Sequence, residues 1–131
     1  MPSQSEKHLY EYAVIRYVPR VEREEFINVG LIMMCKRRRW LRVRLLCDEK
    51  RITALFPEAD IELLTAQLNS FLLIAEGKGS CSISALDAHE RFRWLTAVRS
   101  ASIATSRPHP GTTPDLDATF ARLFAELVAS S

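Results

Sequence analysis

FINVGLIMMCKRRRWLRVRLLC, Phe26 to Cys47, is the stretch on which the fold turns. Its first ten residues are apolar on both faces except for Asn28, which reads as a strand interrupted by one polar side chain and by Gly30. The segment Arg39–Cys47 alternates with period two, placing Leu41, Val43, Leu45 and Cys47 on one side and Trp40, Arg42 and Arg44 on the other. The four residues Lys36-Arg37-Arg38-Arg39 between them are short enough for a hairpin connection. They lack the Asn-Gly or Asp-Gly of a two-residue turn, so a longer loop is expected. Upstream, Leu9–Val18 is rich in aromatic and β-branched residues and is bounded by Pro19, the signature of a further strand. Three consecutive strands with short links predict an antiparallel meander.

Helical signals follow. Asp48 caps a short helix that Pro57 stops, and Asp60 caps a longer one carrying Ile61, Leu64, Leu68, Phe71, Leu72 and Ala75 at helical spacing. Gly77 and Gly79 mark its end. The last segment offers Thr113 as N-cap and Pro114 at the first helical position, ahead of a stripe of Leu116, Phe120, Leu123, Phe124 and Leu127. In between, Cys81–Leu86 reads as a short strand, Leu86–Leu95 as a helical turn begun at Asp87, and Ala97–Ser106 as a fourth strand. Arg107–Pro114 reads as a rigid loop, because two of its prolines hold the preceding residues extended. The expected architecture is α+β: one domain over residues 1–131, with a mostly antiparallel four- or five-stranded sheet covered by two main helices.

The 131 residues, 47% hydrophobic and 26% charged, argue for a folded chain rather than a disordered one. Three unpaired cysteines without metal-ligand spacing fit a reducing cytoplasm, and the N-terminus has no apolar core of the kind a signal peptide carries. No apolar run reaches the roughly 20 residues of a membrane span. No motif for a cofactor is present, and His8, His89 and His109 are too scattered to predict a metal site. Charge is unevenly placed: residues 1–51 hold 12 Lys and Arg against 7 Asp and Glu, whereas residues 52–131 hold 6 against 9. Six cations lie between Lys36 and Arg44 with no anion among them.

The order of several motifs resembles the bacterial DUF-3037 family. Arg16-Tyr17-Val18-Pro19, then Glu25-Phe26-Ile27-Asn28-Val29-Gly30, then Arg91–Ser100 and Pro108-His109-Pro110-Gly111 follow that family's pattern over nearly the whole chain. Two departures are Val98, where the family has proline, and the run Ala104–Gly111, where it has something nearer QPSPVHTG. The family carries no established function. The resemblance implies that the chain is a partner protein, its partner kinase-like, rather than an enzyme.

Two sets of residues stand out as candidate sites. Lys36, Arg37, Arg38, Arg39, Trp40, Arg42 and Arg44 offer a basic hairpin for an acidic protein surface, a second copy of the chain, or a nucleic-acid backbone. Arg16, Glu25, Asn28, Gly30, Arg99, Ser100 and His109 offer an alternative, a small anionic-ligand or enzymatic site. There arginines would hold a phosphate or carboxylate and Glu25 or His109 would move a proton. Asn28 and Gly30 are expected on the same side of their strand, with Gly30 making room and Asn28 fastening what enters. The leading expectation is a non-enzymatic interaction module.

Overall fold

The structure, a computed structural model, describes residues 6–20, 23–97 and 102–129. The three apolar segments form β1 (His8–Arg20), β2 (Glu25–Cys35) and β3 (Trp40–Leu45), an antiparallel meander in which β2 is central to both pairings. Lys36–Arg39 make a four-residue turn closed by the Arg39 N–H donating to the Lys36 carbonyl at 3.1 Å, with Arg39 at φ 50°. The outer edge of β1 is shared by two short strands, β4 (Ile103–Thr105) and β5 (His109–Thr113), both antiparallel to it. Between them, Ser106 bridges to β1: its N–H donates to the Val14 carbonyl at 2.8 Å, and its Oγ accepts from the Val14 N–H at 2.9 Å.

β5 occupies the segment that reads as a rigid loop. Pro110 tolerates a strand here because β5 lies at the sheet edge, where one of its sides needs no ladder partner. Gly111 opposes Tyr10, and a Cβ at Gly111 would overlap the Tyr10 ring and hydroxyl. The tyrosine therefore lies over the glycine, and their fit recruits a segment whose Pro110 and Gly111 disfavour a strand.

Both faces of the sheet are covered. On one, Ala13, Ile15, Val29 and Ile32 pack against α1 (Glu49–Leu55), α2 (Ile61–Ala75) and α3 (Ala88–Ala97) through Ile52, Leu64, Leu68, Phe71, Phe92 and Leu95. On the other, Tyr10, Val14, Leu31, Met33 and Cys35 pack against α4 (Leu116–Phe124) and the π-helical turn Ala125–Ala129 that extends it. The apolar stripes of α2 and α4 face these two cores as their spacing requires.

Several local readings are corrected. Cys81–Leu86 holds a 3-10 turn, Ser82–Ala85, rather than a strand. The helical turn begun at Asp87 is a full ten-residue helix, α3, because Phe92 and Leu95 find the sheet to bury against. The fourth strand is only Ile103–Thr105, while 98–101 lie outside the described residues. The cap of α4 is Asp115, whose carboxylate accepts from the Ala118 N–H at 3.0 Å. Thr113 instead accepts the Asp115 N–H at 3.1 Å and the Thr119 hydroxyl at 2.7 Å, locking the approach to the helix. The caps at Asp48 and Asp60 form as the sequence indicates, accepting from Arg51 and Leu63 N–H respectively.

Candidate functional site

The register of β1 with β2 places Ile15 opposite Gly30 but Arg16 opposite Asn28, so Val29 is an extra residue in its strand. This bulge breaks the alternation. Val29 and Ile32, three residues apart, both enter the α1–α3 core. Gly30 consequently lies toward Ile15 and β3: a Cβ there would stand 2.8 Å from Leu45 Cδ2 and 2.9 Å from the Arg44 carbonyl oxygen. Asn28 points the other way, its Nδ2 donating to the Leu127 carbonyl at 2.9 Å in the π-helical turn. The expectation that the two share a side is thus corrected. Gly30 makes room for β3, and Asn28 fastens the end of α4.

Arg16 is on the α4 side of the sheet with Asn28. Its guanidinium carbon lies 4.2 Å from the centroid of the Phe26 ring, and its Nε is buried without a hydrogen-bond partner, as is Asn28 Oδ1. Burial lowers the Arg16 pKa. His109, on β5, opposes Tyr12 and stacks on it at 5.2 Å between ring centroids. Glu25 opposes Arg20 at the far end of β1. Since β1 rises about 3.3 Å per residue, His109 and Asn28 are separated by roughly 13 Å along the sheet, and His109 and Glu25 by roughly 26 Å. The structure does not bring Glu25, Asn28 and His109 into one pocket. Arg99 and Ser100 lie outside the described residues. Arg91, at the start of the Arg91–Ser100 motif, donates to the Ala75 and Leu86 carbonyls around the α2–α3 connection.

Glu25 instead borders a cleft of about 480 Å³, formed where β1 and β2 meet the α1–α2 link and lined also by Tyr17, Arg20, Phe56 and Asp60. Arg20 crosses its rim to Glu58 at 2.9 Å. Burial, reinforced by the Asp60 charge, raises the Tyr17 hydroxyl pKa. No spacing in the sequence signals this cleft, because its walls come from three separate elements.

The basic hairpin divides into two parts. On β3 the cations turn toward α4: Arg42 pairs with Asp117 and lies over Trp40, and Arg44 sits 4.4 Å over the Phe124 ring. Trp40 is itself packed edge-on against Phe120 at 6.2 Å. These side chains seal the flank of the α4 core with their apolar stems and rings. In the turn, Lys36, Arg37, Arg38 and Arg39 are all exposed, and none of them forms an ion pair among the described residues.

Among the described residues no three His, Cys, Asp or Glu side chains gather as a metal site, and no helix is long and apolar enough to cross a membrane. Cys35 is buried, Cys47 partly so and Cys81 exposed, all as free thiols. Burial raises the Cys47 pKa. In comparison with known proteins, residues 12–128 fit the model of a family described as "Protein of unknown function (DUF3037)". No curated protein and no solved structure matches.

Proposed function

Since the chain belongs to the DUF3037 family, whose description names no activity, we propose that it is a non-enzymatic interaction module presenting its β2–β3 turn to an acidic protein surface. The observation that carries this reading is the state of Lys36, Arg37, Arg38 and Arg39, four adjacent exposed cations with no ion pair among the described residues. Arg42, two positions into β3, has a carboxylate partner within its own fold. Like charges held together repel one another, and an anionic surface removes that repulsion while steering the encounter. Trp40 argues for protein over single-stranded nucleic acid. A base would need a free aromatic face to stack on, whereas this ring is packed against Phe120 with Arg42 over it.

The test is affinity capture from lysate with and without nuclease treatment, followed by binding measurements with each purified partner. Wild type is compared with the variant Lys36→Glu, Arg37→Glu, Arg38→Glu, Arg39→Glu. The expected result is a partner with an acidic face, bound less tightly as salt rises and lost on charge reversal. A charge-reversed chain that keeps every partner at wild-type affinity rejects the reading, as does capture that disappears on nuclease treatment.

A further inference from the structure

On the half of the α4-side face nearest the π-helical turn, a donor and an acceptor lie on directly paired residues without bonding to each other. Arg16 Nε–H and Asn28 Oδ1 are both buried and unpartnered, although Arg16 and Asn28 are opposed across β1 and β2. Opposed residues of an antiparallel pair stand about 5 Å apart at Cα, so these side chains are neighbours. The asparagine cannot satisfy itself by turning over. Its Nδ2 already donates to the Leu127 carbonyl, and a flip would set oxygen against oxygen. An unsatisfied buried polar atom is costly, and two complementary ones side by side suit a bridging group that accepts from one and donates to the other.

We infer that Arg16, Asn28 and Phe26 form a binding site for a small oxyanion carrying an adjacent hydrogen-bond donor, such as a hydroxy acid or a protonated phosphate. The anion takes the in-plane edge of the guanidinium, which alone can donate two parallel hydrogen bonds, and the ligand's donor takes Asn28 Oδ1. Phe26 covers the guanidinium face, and because the Nε–H edge is buried a ligand reaches it only when that ring swings aside. Access runs past Phe26, which is 47% exposed and therefore able to change rotamer quickly. Among the described residues no carboxylate pairs with Arg16, so none of them competes with a ligand anion there. This site is independent of the β2–β3 turn.

The experiment is an NMR titration of the Arg16 Nε–H and Asn28 side-chain amide resonances with sodium acetate, glycolate and inorganic phosphate. Ionic strength is held constant with sodium chloride. Saturable shifts are expected, with glycolate binding about three- to tenfold more tightly than acetate, because its hydroxyl adds one hydrogen bond. Arg16→Met is expected to weaken all three at least tenfold, the worth of a charge-assisted pair. Arg16→Lys keeps the charge without the planar edge and weakens them less, providing a second reading if the methionine variant misfolds. Asn28→Ala is expected to erase the preference for glycolate over acetate. Binding of phosphate alone supports the oxyanion site and identifies phosphate as the ligand type. The inference is overturned if no anion produces a saturable shift, or if the Asn28 amide responds equally in Arg16→Met.

Discussion

Replacing Gly30 by alanine tests how tightly the bulged β2 is set against β3. The added Cβ would meet Leu45 Cδ2 at 2.8 Å, the Arg44 carbonyl oxygen at 2.9 Å and Ile15 Cδ1 at 3.2 Å. Two of these are ends of flexible side chains that can turn aside. The third is backbone, and it is held in the β2–β3 ladder, where Leu31 opposes Arg44 and Gly30 opposes Leu45. Relief therefore requires moving one strand from the other, and overpacking of this kind costs about 1–3 kcal/mol. Losing the flexibility of glycine in the unfolded chain offsets about 0.4–1 kcal/mol of that. The net expectation is a destabilisation of about 1–2 kcal/mol. With an unfolding entropy of about 2.1 cal/mol/K per residue over 131 residues, the melting temperature should fall by about 4–7 °C. Urea unfolding at constant m-value, followed by tryptophan fluorescence, measures the same quantity independently. Gly30→Val should be worse, since its branches meet the same carbonyl. An alanine variant as stable as wild type would show that the two strands separate freely, and the account of Gly30 as a contact glycine would fail.

Two further outcomes follow from local geometry. Arg39 occupies the left-handed region at φ 50°, so Arg39→Gly should raise stability by about 0.5–1 kcal/mol in urea unfolding; a loss would mean that the arginine side chain stabilises the turn. The Glu11 carboxylate receives two hydrogen bonds from Arg93, which lower its pKa. Its contribution is therefore present above the ordinary glutamate pKa and lost as pH falls through the lowered folded value. Because Arg93 is more than half exposed, Glu11→Gln should cost only about 0.5–1 kcal/mol at neutral pH and nothing at about pH 2. Unfolding midpoints of both proteins at the two pH values check this, and an equal difference at both would refute it.

Local pattern was enough wherever one element's own residues set its state. The period-two alternation of β3 and the helical stripes of α2 and α4 are legible because each buries mainly one face, and the apolar runs of β1 and β2 because those strands bury both. The capping aspartates Asp48 and Asp60 are legible for the same reason, since a cap acts within three residues. α3 was partly legible as a helical start at Asp87, but its length depends on Phe92 and Leu95 reaching the sheet. The candidate sites were less legible. Cations in a row reveal a basic segment, yet only the direction of β3 gives Arg42 and Arg44, themselves exposed, partners on α4 that Lys36–Arg39 lack among the described residues.

The sequence by itself determined an α+β chain with an N-terminal three-strand meander and a closing amphipathic helix, because period and capping act between residues close in the chain. Only the tertiary structure decided that His109–Thr113 is a strand, since its ladder partner lies about a hundred residues away in β1 and Tyr10 supplies the side chain that Gly111 lacks. It also decided the directions of Asn28 and Gly30. Inserting one residue, Val29, into the ladder reverses the faces that follow, and such a bulge is fixed by pairing with β1 rather than by the strand's own pattern.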